Sequence, residues 1–214
     1  MEDPALPPAT TGKVIHWAFW YDLLVWAISL GREKAFRQKQ IDLAGLEPGG
    51  SVLDVGCGTG SLAILAKQRV GPTGTVSGID ASPELIARAR KKARKARADV
   101  RFEAAVVEAM PFPDAAFDVV LSTLMLHHLP DDARHQCLRE IRRVLKPGGR
   151  LLVVDFAGSA KEKRSLILRD HGHGHFDLRQ VIPELREAGL SEVESGKFGV
   201  RNLWFVRAAA SSSP

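Results

Sequence analysis

Val52-Leu-Asp54-Val-Gly56-Cys-Gly58-Thr-Gly60 is a short apolar run that ends in an acid and passes into alternating glycines. A helix-like stretch begins at Ser61, and a second apolar run, Thr75-Val-Ser-Gly-Ile79, ends in Asp80. The order reads as strand, tight turn, helix N-terminus, strand. Glycine lets the backbone turn sharply and approach a ligand closely. A carboxylate at the tip of the second strand can accept both hydroxyls of a ribose. The chain is therefore expected to bind a molecule that carries a nucleoside.

Spacing narrows the choice of ligand. Dinucleotide-binding folds carry G-x-G-x-x-G, whose glycines leave room for a pyrophosphate. Here the pattern is D-x-G-x-G-x-G, with Ser61 where that spacing wants its small third residue. Asp54 would repel a pyrophosphate and would suit an ammonium group. S-adenosylmethionine has a ribose, an amino-acid end and a sulfonium charge, and carries no phosphate.

Outward from this segment, further strands are expected at 100–103, 117–122 and 150–156, with a last pair at 192–195 and 203–208. Helices are expected at 62–70, from Pro83 to about residue 97, at 131–145 and at 177–188. Ser82-Pro83 reads as an N-cap followed by proline at the first helical position. Lys146-Pro-Gly-Gly149 reads as a helix stop. Strands alternating with helices imply a parallel sheet covered on both faces. The expected fold is α/β and Rossmann-like: a seven-stranded, mostly parallel sheet with an antiparallel edge. Residues 1–12 and 210–214 read as disordered tails, 13–46 as N-terminal cap helices, and 47–209 as the ligand-binding domain.

The bulk properties exclude several classes. A chain of 214 residues with 45% hydrophobic and 26% charged residues is ordinary for a globular domain. Two cysteines, Cys57 and Cys137, make no disulfide framework and suit a reducing compartment. The N-terminus lacks the basic start and cleavage site of a signal peptide. Residues 14–30 are apolar, but His16, Tyr21 and Asp22 interrupt them, and the run is short for a membrane span of about 20 residues. The expected location is cytoplasmic, with peripheral membrane contact open. The net charge of +5 is local: Arg88, Arg90, Lys91, Lys92, Arg94, Lys95 and Arg97 crowd one helix, and without those seven the total is −2. That helix is either a solvated basic face or a contact for an anionic surface.

The pieces VLDVGCGTG (52–60), GID (78–80), EAMPFPDAAFDVV (108–120), LHHLPD (126–131) and EIRRVLKPGGRLLVVDF (140–156) together resemble the class I S-adenosylmethionine-dependent methyltransferases over residues 47–157. The chain is most similar to the enzymes of ubiquinone and menaquinone biosynthesis and to bacterial phospholipid N-methyltransferases. It shares with them Tyr21-Asp22 and Ser29-Leu-Gly31. The resemblance implies that Asp54, Gly56, Gly58 and Gly60 hold the methionine end and that Asp80, with Ala81 and Ser82, holds the ribose. Thr123 and Leu124 would border the sulfonium, and Tyr21 would reach the cofactor from a cap helix. Where the family often has an aspartate for the adenine amino group, this chain has Val106. Backbone groups of Val106, Val107 and Glu108 are left to read the adenine edge, with the Glu108 side chain a candidate replacement.

Methyl transfer is an in-line displacement at carbon, so the protein mainly aligns a nucleophile about 3 Å from the methyl group and excludes water. Where the nucleophile must lose a proton, a base is needed. His127 and His128 follow the fourth strand, at the carboxyl end of the sheet where ligands sit, and are candidate bases. The alternative is that one of them caps the next helix or packs in the loop. In His171-Gly-His173-Gly-His175, His173 is a candidate base and His171 and His175 candidate substrate contacts; a plain flexible loop is the alternative. This spacing is not a usual zinc pattern, and no metal is expected. Trp20, in an aromatic segment with Trp17, Phe19, Tyr21 and Trp26, is a candidate substrate contact. The acceptor expected is a small or lipid-like molecule, with a quinone precursor or phospholipid headgroup ahead of a soluble metabolite. A non-catalytic partner subunit is the further alternative. Ser122-Thr-Leu-Met125 stands where adenine-modifying DNA methyltransferases often carry Asn/Asp-Pro-Pro-Tyr, so nucleic acid is not the expected acceptor.

Overall fold

Runs of Val, Ile and Leu bounded by Gly, Pro and Asp form the strands of this chain, and stretches rich in Ala, Leu, Lys and Arg form its helices. A computed structural model describes residues 33–158, 176–200 and 202–211. Its strands are β1 (Ser51–Val55), β2 (Thr75–Asp80), β3 (Arg101–Ala104), β4 (Phe117–Thr123), β5 (Leu145–Phe156), β6 (Leu190–Lys197) and β7 (Leu203–Ala210). They form one seven-stranded sheet in the order β3-β2-β1-β4-β5-β7-β6. β1 to β5 pair in parallel, and β7 runs antiparallel to both β5 and β6. The antiparallel character of this end of the sheet is thus carried by β7, one strand in from the edge.

Helices α1 (Glu33–Ala44), α2 (Ser61–Val70), α3 (Pro83–Ala96), α4 (Asp131–Val144) and α5 (Ile182–Glu187) cover the two faces. Alternation along the strands divides the core. Val52, Val119, Leu121, Leu152 and Val154 pack with Phe36 and Ile41 of α1, Leu62 and Ala66 of α2, and Ile86 and Ala89 of α3. Leu53, Val120, Leu151 and Ala208 form one row across the sheet by register. That row faces Cys137, Leu138, Ile141 and Val144 of α4. Each fully buried Val, Leu or Ile contributes about 1.5–3 kcal/mol relative to exposure. Both cysteines are buried free thiols.

Two elements differ in detail from the sequence reading. Helix α4 passes into β5 at Leu145, without a connecting loop. Lys146-Pro-Gly-Gly149 is a bulge within the strand: pairing runs from Phe117 opposite Leu145 to Val119 opposite Arg150. Lys146 Nζ holds Asp118 at 2.8 Å across it. The late helix is split. Asp177 caps a 3₁₀ turn, Leu178–Val181, by accepting the Arg179 N–H, and α5 follows with Pro183 in its first turn.

The topology fixes where a ligand goes. From β1 the chain crosses to β2 on one side, while β4 lies on the other. The crevice beyond the carboxyl ends of β1 and β4 is the switch point at which such sheets bind ligands.

Candidate active site

The glycine loop is tied to the end of β2 through its backbone. Gly56 N–H and Cys57 N–H both donate to the Ile79 carbonyl at 2.9 Å, and Gly60 N–H donates to Cys57 O at 2.9 Å. Gly56 has φ +71, and a Cβ there would lie 2.4 Å from Met125 Cγ. Gly60, at the N-terminus of α2, has φ +77, and a Cβ there would meet the Phe102 ring at 2.6 Å. Both positions therefore demand glycine for backbone conformation and for space.

Two acids face this loop. Asp80 accepts Gly58 N–H through Oδ2 and Ser82 N–H through Oδ1, each at 2.9 Å. A carboxylate has about four acceptor positions, so capacity for two ribose hydroxyls remains. Burial raises its pKa, and the two N–H groups oppose that rise. Asp54 is 2% exposed, and its Oδ2 has no hydrogen-bond partner among the described residues. Burial pushes its pKa from the ordinary 3.8 up to about 7; Arg37 and the Ala63 N–H oppose the rise, and Asp80 adds to it. A buried acceptor lacking a donor is costly, and an ammonium group would satisfy it. These two carboxyls thus fit the ribose and amino-acid end of the ligand expected from the sequence. Lys92 of α3 braces the loop from outside, donating to Thr59 Oγ1 at 2.9 Å and Ser61 Oγ at 2.7 Å.

Residues 105–108 continue the site. Ala105 N–H donates to the Asp80 carbonyl at 3.1 Å, which places this segment beside Asp80. Val106 and Val107 are buried and Glu108 is partly so. The stretch beyond is anchored by Arg143, which reaches Glu140, Asp114 and the carbonyls of Met110 and Phe112. Thr123 closes β4, and Leu124 takes the left-handed conformation at φ +52 while donating to Val154 O. Met125, the next residue, is the side chain laid over Gly56.

Leu126–His128 is a 3₁₀ turn. His127 Nδ1 lies 2.7 Å from Asp155 Oδ1, and the His127 backbone N–H donates to Asp155 Oδ2 at 3.3 Å. Asp155 is fully buried at the end of β5 and also accepts Phe156 N–H. The His127 ring is 3.9 Å from that of His128 and 4.9 Å, edge-on, from Phe156. Helix α4 begins after Pro130 with no side-chain cap, so neither histidine caps it. A carboxylate only accepts, so Nδ1 carries the hydrogen and Nε2 is left to take a proton.

The structure brings together Asp54, Gly56, Gly58, Gly60, Asp80, Ala81, Ser82, Val106, Val107, Glu108, Thr123, Leu124, His127 and His128 along the carboxyl edge of β1, β2 and β4. Trp20, Tyr21, His171, His173 and His175 lie outside the described residues. Sequence reading missed Asp155 and Met125. The one available signal for Asp155 was an acid closing the apolar run Leu151-Leu-Val-Val. It also missed Arg37 and Gln40, polar side chains buried on the inner face of α1.

Known proteins are similar to this chain in sequence and fold. A family described as a methyltransferase domain matches residues 52–149. The demethylmenaquinone methyltransferase of Thermus thermophilus is 37% identical over 179 residues, which span 84% of this chain and 75% of that protein. The 27-O-demethylrifamycin SV methyltransferase of Amycolatopsis mediterranei is 37% identical over 198 residues, 87% of this chain and 69% of that protein. Among solved structures, a SAM-dependent methyltransferase from Aquifex aeolicus superposes with a TM-score of 0.70 at 25% identity, over 81% of this chain and 88% of that one.

Proposed function

The chain belongs to the S-adenosylmethionine-dependent methyltransferases, and within that family we propose that it methylates a lipid-like quinone precursor in its phenolic form. The likeness to the Thermus thermophilus enzyme supports this acceptor class. The observation that carries the chemistry is the pairing of His127 with buried Asp155, in the same loop whose Met125 packs on Gly56.

S-adenosylmethionine, when bound, supplies a methyl group on a sulfonium sulfur, which keeps the electron pair of the broken bond. Asp54 would hold the ammonium of its methionine end, and Asp80 its ribose hydroxyls. Backbone groups at 106–108 would face its adenine. His127 Nε2 takes the phenolic proton of the acceptor, leaving the electron pair that forms the new bond to the methyl carbon. Asp155 keeps the imidazole in the required tautomer and stabilises the imidazolium that forms. General-base help of this kind is worth about 10²–10⁴ in rate.

An acceptor with a long apolar tail stays in the bilayer, so the enzyme works at a membrane surface as a peripheral protein. Among the described residues no helix is long and apolar enough to cross a membrane. The test is turnover of three acceptors in detergent: a reduced prenylated naphthoquinone, phosphatidylethanolamine and a soluble catechol. Mass spectrometry should find the methyl group on the naphthoquinol. Methylation of phosphatidylethanolamine alone, or of the catechol alone, would replace the acceptor class.

A further inference from the structure

Helix α3 carries six Lys or Arg residues and one acid, Glu84. Its inner face is apolar: Leu85, Ile86, Ala89 and Ala93 are buried against the protein. The cations occupy the rest of the circumference. Arg90 is committed to the protein, donating twice to Phe102 O at 3.1 and 2.7 Å, and Lys92 is committed to the glycine loop. Arg88, Lys91, Arg94 and Lys95 are exposed on the outward side, and their side chains make no hydrogen bond or ion pair among the described residues. At 100° per residue these four lie within one outward arc of roughly 120°. Arg97, exposed and left-handed at the C-cap, extends the same charge past the helix end.

Like charges at i,i+3 and i,i+4 repel one another on a helix. Four such cations with no acid interleaved cost stability in the free protein and are relieved by an anionic surface. We propose that this face of α3 docks the protein on an anionic phospholipid bilayer, an inference that rests on the lipid-like acceptor put forward above. Charge complementarity selects the partner class. A single-stranded nucleic acid would call for aromatic side chains between the cations for base stacking, and the outward face of α3 has none: its other exposed residues are Pro83, Glu84, Ala87 and Ala96. The same helix bears Lys92, which donates to Thr59 and Ser61. The docking element and the cofactor loop are therefore one rigid piece, which holds the active site at a set distance from the lipid surface.

The experiment is vesicle flotation of the full chain with phosphatidylcholine alone and with phosphatidylcholine containing about one third phosphatidylglycerol, at low and high salt. The wild type should float with the anionic vesicles at low salt, not with the neutral ones, and should be released by about 0.5 M salt, where screening is short-ranged. The variant R88Q/K91Q/R94Q/K95Q should lose at least about 100-fold in partitioning, the scale expected when four surface cations are removed. Its affinity for S-adenosylhomocysteine should stay as in the wild type, since none of the four touches the loop, and its thermal melt should be no lower, since the substitutions relieve the repulsion among the four cations. A second variant, R88K/R94K, keeps the charge and should float like the wild type.

Equal flotation of the glutamine variant and the wild type would overturn the proposal. So would binding to neutral vesicles that salt does not reverse, or displacement from anionic vesicles by stoichiometric polyuridylate. The acceptor reading fails separately: flotation without methylation of the naphthoquinol keeps the surface and removes the acceptor. Methylation in detergent without flotation does the reverse.

Discussion

Replacing Asp54 by asparagine should stabilise the empty protein at pH 8 and weaken its hold on S-adenosylhomocysteine. Burial holds this carboxyl near 7 instead of 3.8. At about 1.4 kcal/mol per pH unit, ionised Asp54 therefore costs the fold on the order of 4 kcal/mol. The folded carboxyl keeps its proton longer than the unfolded one. Its contribution to stability is thus fully present below about pH 4 and is lost as the pH rises through about 7. Asparagine never ionises, so the variant should match the wild type at pH 4 and exceed it by a few kcal/mol at pH 8. Asp80 is present in both proteins, so the difference reports the burial of Asp54 together with its repulsion by Asp80. Urea titrations at several pH values measure it as a shift in midpoint at constant slope. Ligand binding should move the other way. If the ammonium needs the carboxylate, the ionised fraction rises from about a tenth at pH 6 to about nine tenths at pH 8, and wild-type affinity should rise about tenfold. Calorimetry of the Asp54→Asn protein should show weaker and pH-independent binding. A variant no more stable than the wild type at pH 8 would refute the burial argument. A flat wild-type affinity would refute the placement of the ammonium.

Asp80→Ala removes the acceptor for the Gly58 and Ser82 N–H groups and, in the proposed site, for the ribose, and should weaken S-adenosylhomocysteine binding by about 1–3 kcal/mol in calorimetry; unchanged affinity would take Asp80 out of the ribose site. Gly56→Ala meets Met125 at 2.4 Å in a left-handed conformation and should lower unfolding stability by about 1–3 kcal/mol. Adding Met125→Ala should recover only the part due to Met125 Cγ, leaving the 2.9 Å approach to the Cβ of residue 125 and the backbone part. His127→Gln should cut kcat by about 10²–10⁴ with ligand affinity unchanged. Asp155→Asn should give a smaller loss with a displaced pH–rate profile, and normal turnover in both variants would remove the pair from the chemistry.

The half of the site that could be read from sequence is the half built from neighbours in the chain. The glycine loop holds its conformation through contacts within a few residues, and Asp80 stands out because it ends a strand just before a helix N-cap. The other half depends on strand register. His127 meets Asp155 because β4 and β5 pair with Thr123 opposite Val154, which brings the turn after β4 alongside the end of β5. No local pattern encodes that juxtaposition, and Asp155 reads in isolation as the polar end of a buried strand. Met125 is similar: its packing on Gly56 follows from β1 and β4 being adjacent, a property of topology. The bulge at Lys146-Pro-Gly-Gly149 was hidden because glycine and proline after a helix signal a loop, whereas here Asp118 of the neighbouring strand bonds across to Lys146.

Strand β7 follows β6 in the chain yet lies between it and β5, paired along both of its edges. On the ribosome, β1 to β5 are made first, and β6 has no strand to pair with until β7 has arrived. The apolar edge of β5, with Leu151 to Val154 near its middle, therefore stays bare while the chain through Ala210 is made. At about 5–20 residues per second this interval lasts several seconds. An unpaired edge of that kind is a template for pairing with other chains. The yield of native protein is then governed by translation speed and by whatever shields the nascent edge, in addition to the stability of the finished fold. Slowing elongation between β5 and β7 should raise the aggregated fraction, and supplying a strand-capping chaperone should lower it.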